Sequence, residues 1–374
     1  VANFGQRPFA YSAPSGHLAL NTYNLTTPTV AQGNDYFAPL IYTGNGASYP
    51  STNAITGLDF QPDFVWVKCR SQAYQWFQYD STRGATKYLA SNSDGPEYTS
   101  NQMTAFNSNG FTVANDGGSV GTNQNGETFA SWSWKANGGS TSTNNSGSIT
   151  STVQANTTSG FSIVTYTGTG ANATVGHGLG VAPSLIICKS YSSGGRDWQT
   201  YHAALGATAY IKLNSTGGGG TSTSVWNDTA PTSTVFSLGN GGDANALSNS
   251  FVAYCFAQIA GFSSFGSYTG NGSSSGPFVY TGFRPAYVLV KGYAYASNWN
   301  SWDSARNTYN WTSQDLRPNS AAAEFNGYTN TGGAINILSN GFQIVKSDGD
   351  VNNSGTTFIY IAFAENPFKY ALAR

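Results

Sequence analysis

The sequence predicts an all-β protein: three tandem antiparallel β-sandwich repeats, jelly-roll-like, behind a short N-terminal lead-in. Composition is the first support. The 374 residues include 23 Tyr, 22 Phe, 9 Trp and 45 Gly, with a single Met and 9% charged side chains, a profile that suits short strands and tight turns and is poor in helix formers. The second is a strand phrase that occurs three times, as Pro62-Asp63-Phe64-Val65-Trp66-Val67-Lys68, Pro183-Ser184-Leu185-Ile186-Ile187-Cys188-Lys189 and Pro285-Ala286-Tyr287-Val288-Leu289-Val290-Lys291. The third is spacing: turn signals recur every 8 to 15 residues or so, with no helical periodicity between them. A module of roughly 100 to 120 residues is therefore used three times, which fits a chain too long for one ordinary hydrophobic core.

Residues 1–36 form the lead-in, too short for a core of their own. The segment reads as the last strand of an upstream domain or as an arm packed on the first repeat, and the start at Val1 rather than at a methionine reads as processing or a fragment. The first repeat, 37–136, opens on Tyr42-Thr43-Gly44-Asn45-Gly46, a strand end with an Asn-Gly turn signal. It closes on Glu127-Thr128-Phe129-Ala130-Ser131-Trp132-Ser133-Trp134, where large and small residues alternate as on a strand with two different faces. Residues 137–156, mostly Gly, Ser, Thr and Asn, read as a linker and a hinge. The second repeat, 157–260, re-enters at Tyr166-Thr167-Gly168-Thr169-Gly170, and the third, 261–374, at Tyr268-Thr269-Gly270-Asn271-Gly272. Phe64 to Val67 and their counterparts are apolar at every position, so both faces of that strand must be covered. The module's own core covers one face. A second layer, a neighbouring repeat or another copy of the chain covers the other, and a weakly charged, aromatic-rich surface keeps another copy among the candidates.

Charge excludes some function classes. With 16 basic and 17 acidic side chains, a formal charge of -1 and no basic cluster, the chain lacks the patch that phosphate contacts need, which argues against nucleic-acid binding. No apolar run reaches the length of a membrane-spanning helix and no signal-peptide pattern opens the chain, so membrane insertion is not expected. Three cysteines, Cys69, Cys188 and Cys255, do not make a disulfide framework. They read as buried thiols, with a Cys188–Cys255 bridge as the alternative; Cys255 matches Ser133 and Ala362 in the other repeats, a crowded site for a small residue.

Several phrases carry a resemblance: Phe161-Ser162-Ile163-Val164-Thr165-Tyr166-Thr167-Gly168, His177-Gly178-Leu179-Gly180-Val181-Ala182-Pro183-Ser184, Phe265-Gly266-Ser267-Tyr268-Thr269-Gly270-Asn271-Gly272 and Thr281-Gly282-Phe283-Arg284-Pro285-Ala286. Together they make the chain resemble repeat-bearing virion proteins of tailed bacteriophages, notably of aquatic phages. In that family such modules follow a SPRY-like sandwich, and Asn3-Phe4-Gly5-Gln6-Arg7-Pro8-Phe9 looks like the end of one. The resemblance implies a structural protein of the virion surface, hence extracellular, in a tail fibre or similar appendage. Its implied partners are copies of itself, a trimer among the options, other virion proteins and a host-surface glycan.

Candidate chemistry is sparse. Asp80 with Arg83, and Asp303 with Arg306, share an Asp-x-x-Arg spacing that the second repeat replaces with His202 and Leu205. Joint loss of both partners is what a structural ion pair predicts, since one buried charge left alone costs about 3 to 5 kcal/mol; a ligand-binding role is the alternative. Trp76, Tyr79, Trp198, Tyr201, Trp299 and Trp302 are candidates for stacking on a host sugar, with core packing as the competing fate. Asp348, Asp350 and Asn352 imitate the start of a calcium loop, but no later bidentate Glu follows, so a hairpin turn is favoured and no cofactor is expected beyond that weak Ca2+ option. The three histidines, His17, His177 and His202, are scattered, and no nucleophile elbow, zinc motif or phosphate loop occurs. The sequence thus points to a non-enzymatic structural protein, with a lectin-like receptor-binding module next and a polysaccharide depolymerase last.

Overall fold

The computed structural model describes residues 28–326 and 333–365. After a 3₁₀ turn at Gly33–Asp35, the first repeat contributes β1 (Phe37–Thr43), β2 (Asn53–Thr56), β3 (Phe64–Cys69), β4 (Phe77–Asp80), β5 (Lys87–Leu89), β6 (Tyr98–Thr99), β7 (Met103–Asn107), β8 (Gly110–Val113) and β9 (Thr128–Trp134). Next come β10 (Ser142–Asn144), β11 (Ser151–Asn156), β12 (Phe161–Thr167), β13 (Ala173–Gly176), β14 (Leu185–Ser190), β15 (Gln199–His202), β16 (Ala209–Lys212), β17 (Gly220–Thr221), β18 (Val235–Leu238) and β19 (Ser250–Phe256). The third repeat adds β20 (Ser263–Thr269), β21 (Phe278–Tyr280), β22 (Pro285–Gly292), β23 (Asn300–Asp303), β24 (Gln314–Asp315), β25 (Phe325–Asn326), β26 (Ile335–Leu338), β27 (Gly341–Ile344) and β28 (Thr357–Ala364). Helix is confined to single turns, α1 (Thr223–Trp226), α2 (Gly242–Asn245) and α3 (Gly349–Asn352).

Each repeat is a sandwich of one long and one short antiparallel sheet. The long sheets run β1-β9-β3-β4-β5-β6, β10-β11-β12-β19-β14-β15-β16-β17 and β20-β28-β22-β23; the short ones are β2-β8-β7, β13-β18 and β21-β27-β26. Equivalent positions follow from register. Phe64 pairs with Trp134, Leu185 with Phe256 and Tyr287 with Phe363.

The repeated strand is buried along its whole length in all three copies. Its outer side chains, such as Val65 and Val67, meet the short sheet of the same repeat through Ile55, Phe111 and Val113. Its inner side chains, Phe64 and Trp66, Leu185 and Ile187, Tyr287 and Leu289, join one core shared by all three repeats. Of the covers that the sequence left open, the neighbouring repeats are the ones used. Rings meet across every pair of them: Phe64 on Tyr254 at 4.1 Å, Phe256 on Phe363 at 5.7 Å and Phe363 on Trp134 at 5.6 Å between centroids. The three repeats stand around a pseudo-threefold axis, where their inner strands enclose a small apolar cavity.

One expectation needs correction. Residues 137–156 are not a free hinge. They contain β10 and β11, and β11 pairs with β12 because Val153, apolar and buried, fits a core position that composition alone hid. A common core also removes the independence a hinge requires. Of the lead-in, residues 1–27 lie outside the described residues, as do 366–374; Val30 is fully buried in the shared core.

Candidate functional site

The six aromatic residues considered for sugar stacking all lie inside the protein. Trp76, Tyr79, Trp198, Trp299 and Trp302 have no accessible surface and Tyr201 is 4% exposed. A pyranose needs an open ring face, so these residues are not a glycan site. Their role is clearest in the tryptophans. Trp76 Nε1 donates to the carbonyls of Arg317 (2.9 Å) and Ser320 (3.0 Å) in the third repeat. Trp198 Nε1 donates to Ala90 O (3.0 Å) in the first, and Trp299 Nε1 to Lys212 O (3.0 Å) in the second.

The lysine that ends each repeated phrase completes the same contact. Lys68, Lys189 and Lys291 have no accessible surface. Lys68 Nζ donates to Ala321 O (3.1 Å), Lys189 Nζ to Asp94 O (3.0 Å) and Lys291 Nζ to Thr216 O (3.1 Å), again one repeat back around the ring. Each ammonium also reaches a carbonyl in its own repeat, for example Arg196 O at 2.8 Å and Ser297 O at 2.6 Å. No carboxylate among the described residues bonds to them, so burial dominates and lowers each from 10.5 to about 8.

Between its tryptophan and lysine, each repeat grips the same loop of its neighbour. The loops carry Asn92, Asn214 and Asn319, whose side-chain oxygens accept the backbone N–H of Trp76 (2.9 Å), Trp198 (3.0 Å) and Trp299 (2.8 Å) of their own repeats. The indole binds the carbonyl two residues before that asparagine in the adjacent repeat, and the lysine binds the carbonyl two residues after it. Three such clamps, in cyclic order, hold the ring. Sequence reasoning missed the asparagines because the tryptophan-to-asparagine interval is longer in the third repeat, and it missed the clamps because their partners come from other repeats.

The Asp-x-x-Arg turns lie at the same interfaces. Arg83 Nε donates to Asp80 Oδ2 at 2.6 Å, and Arg306 Nε to Asp303 Oδ2 at 2.6 Å, all four side chains being buried. Each arginine also meets a second carboxylate, Glu97 at 2.8 Å and Glu324 at 3.0 Å. Each aspartate receives a bond from the next repeat: Tyr254 Oη donates to Asp80 Oδ2 (2.8 Å) and Trp132 Nε1 to Asp303 Oδ2 (3.1 Å). The residue equivalent to Tyr254 and Trp132 in the third repeat is Ile361, which has no donor. There His202 bonds the Tyr360 carbonyl through Nε2 (3.1 Å) while Nδ1 accepts the Ala204 N–H (3.2 Å). That pattern fixes a neutral ring with its proton on Nε2, and burial lowers its pKa to about 4.

The Asp348 loop is helical, not a hairpin. Asp348 caps α3 by accepting the Asp350 N–H (2.9 Å), and Asp350 accepts from Asn298 (3.0 and 2.9 Å). Asn352 turns its amide nitrogen towards the carbonyls of Ser273 and Lys346 while its oxygen accepts the Asn271 N–H. These contacts are all within the fold, and among the described residues no cluster of three His, Cys, Asp or Glu could hold a metal. Asn352 has counterparts. Asn123 accepts the Asn45 N–H (3.1 Å) and Asn245 the Thr169 N–H (2.8 Å), so one asparagine closes each Tyr-Thr-Gly turn. Those turns require glycine: a Cβ on Gly44, Gly168 or Gly270 would collide with the backbone beside this asparagine.

The cysteines are free and buried. Cys188 bonds the Tyr166 hydroxyl (3.1 Å) and burial pushes its thiol up to about 12, so it is inert as a nucleophile. Cys255 pairs with Ile186 as Ser133 does with Val65 and Ala362 with Val288.

Residues 32–367 match a family described as a domain of unknown function, DUF7483. The chain belongs to that family. The DUF7483 match spans all three repeats, as the shared core does. No curated protein and no solved structure matches the chain.

Proposed function

We propose that this DUF7483 chain is a structural component of a bacteriophage virion surface, a rigid unit of a tail fibre or similar appendage that assembles with other virion proteins. The observation that carries the reading is where the reactive side chains are used. The three lysines, three tryptophans and two Asp–Arg pairs bind repeat to repeat, which suits a part that must keep its shape under load. The phage-like phrases supply the setting. An antibody against the purified chain, used in electron microscopy of phage particles from the source culture, should mark a fixed place on the particle. Label confined to the particle-free supernatant would overturn the proposal.

A second reading, host-glycan binding, is favoured by one surface feature. Phe278 and Tyr280 are 48% and 66% exposed on one face of β21, with Val279 buried between them. Their counterparts are Ala54 and Thr56 in β2, and Thr174 and Gly176 in β13, so the third repeat alone offers two adjacent aromatic faces. Glycan-array binding that vanishes in the Phe278→Ala/Tyr280→Ala variant supports this reading, and an array without signal removes it.

A further inference from the structure

The short sheet of the third repeat turns a small grid of side chains outward. Register across β21, β27 and β26 sets Phe278 beside Gln343 and Asn336 in one row, and Tyr280 beside Gly341 and Leu338 in the next. The residues between the rows, Val279, Phe342 and Ile337, are buried in the shared core. Directly opposite residues of an antiparallel ladder share a face, so the two rings and the two amides look outward together. Phe278 leans over the side-chain-free Gly341, where an added Cβ would stand 3.1 Å from Cζ of the ring.

The equivalent face of the first repeat is closed by its own chemistry. Its rows are Ala54, Thr112 and Ala105, then Thr56, Gly110 and Asn107, and Asn107 Nδ2 donates to Thr112 Oγ1 (2.8 Å). The second repeat has only two strands there and no ring on β13. In the third repeat the polar groups are left over. Gln343 commits only Nε2, to Gly276 O (3.4 Å), and the Asn336 amide has no partner among the described residues. A third open ring stands across the sheet. Asn310 bonds both the N–H and the C=O of Ile337 (2.9 Å each), and Thr312 exchanges backbone bonds with Ile335, so residues 310–312 run along the side of β26 away from β27. Tyr309, just before them, is 85% exposed. Three strand spacings, roughly 14 Å, separate that segment from β21.

We propose that this face binds a neutral glycan chain laid across the strands, from Phe278 and Tyr280 over the amides towards Tyr309. The site rests on the glycan reading above, narrowed to one chemical class and one course across the sheet. Aromatic faces match the aliphatic faces of pyranose rings, and amides both donate to and accept from hydroxyl and acetamido groups. None of the six grid residues is charged, so a carboxylate or sulfate would lose water with no cation to meet it. That selects neutral sugars over acidic ones. Size decides against a protein partner or a second copy. The grid covers on the order of 150 Å² by strand spacing and rise, against about 800 Å² per partner in a standard interface.

Binding of the full chain to oligosaccharides of increasing length tests this, with neutral hexose and N-acetylhexosamine series beside uronic-acid and sulfated ones. Neutral chains should bind, a tetrasaccharide about fivefold or more tightly than a disaccharide. Asn336→Ala with Gln343→Ala should weaken every neutral chain about tenfold, and Tyr309→Ala should weaken only the longer ones. Binding confined to the acidic series, or equal for acidic and neutral chains, overturns the proposal and leaves the glycan reading standing; no binding to any series removes both. Long-chain affinity untouched by Tyr309→Ala overturns the course across the strands. A concentration-dependent dimer that Phe278→Ala abolishes also overturns the proposal, because a second copy then covers the face. If the double amide variant does not fold, Tyr280→Phe and Tyr280→Ala decide: the first should keep neutral-chain binding and the second lose it, and equal affinities refute the site.

Discussion

The turn after β4 and the turn after β15 occupy equivalent places and use different chemistry. The first holds Asp80 and Arg83 with a tyrosine hydroxyl arriving from the next repeat; the second holds neutral His202 beside Leu205 and borrows a backbone carbonyl. The difference lies across the interface. Asp80 faces Tyr254 and Asp303 faces Trp132, both donors, whereas His202 faces the repeat in which Ile361 replaces the donor. A buried aspartate facing isoleucine would lose one of its hydrogen bonds. The identity at this position follows the neighbouring repeat as much as its own.

The largest expected effect breaks the charged version. Asp80→Ala leaves the buried Arg83 with Glu97 as its one remaining carboxylate and takes the acceptor from Tyr254 Oη, and should cost about 3 kcal/mol in chemical denaturation. Rebuilding the interface in the style of the second turn, as Asp80→His, Arg83→Leu and Tyr254→Ile together, should cost clearly less than the single change. If the triple variant is the worse of the two, the partner across the interface does not set the choice.

The neutral version should break with acid. His202 has a folded pKa of about 4, below its ordinary 6.5, so the unfolded chain binds the extra proton in that window. Stability therefore falls as pH drops from 6.5 towards 4, by about 3 kcal/mol in total from this group. Melting curves of the parent and of His202→Gln should converge or cross over that range, and parallel curves would refute the assignment. The smallest effect concerns Cys255, which shares its position with Ser133 and Ala362. Cys255→Ala should cost about 1 kcal/mol or less by thermal unfolding, and a larger loss would mean that the second repeat has become specialised there too.

The repeats and the all-β class were legible because strand period, turn signals and the Pro-to-Lys phrase are local. Continuous apolarity from Phe64 to Val67 also announced that both faces of that strand are covered. What it could not say was by whom, since the covering residues, such as Tyr254 and Phe363, are separated from Phe64 by most of the chain. The same limit explains Trp76. Its indole partner, Arg317, is 241 residues away, and a tryptophan beside a turn looks alike whether it faces solvent or another repeat. Gln154 was hidden differently: polar composition around it resembled a linker, although its amide reaches Ser81 and Thr82.

Having three clamps on a single polypeptide also shapes how such a protein can diverge. In an assembly of three identical subunits, any substitution at Tyr254 or Asp80 would strike every contact at once. When the copies are fused, each contact is encoded separately, and one can drift while the other two keep the body intact. The His202–Tyr360 contact differs from its two counterparts while the body stays closed, and Phe278 and Tyr280 give the third repeat an outer surface that the other two lack.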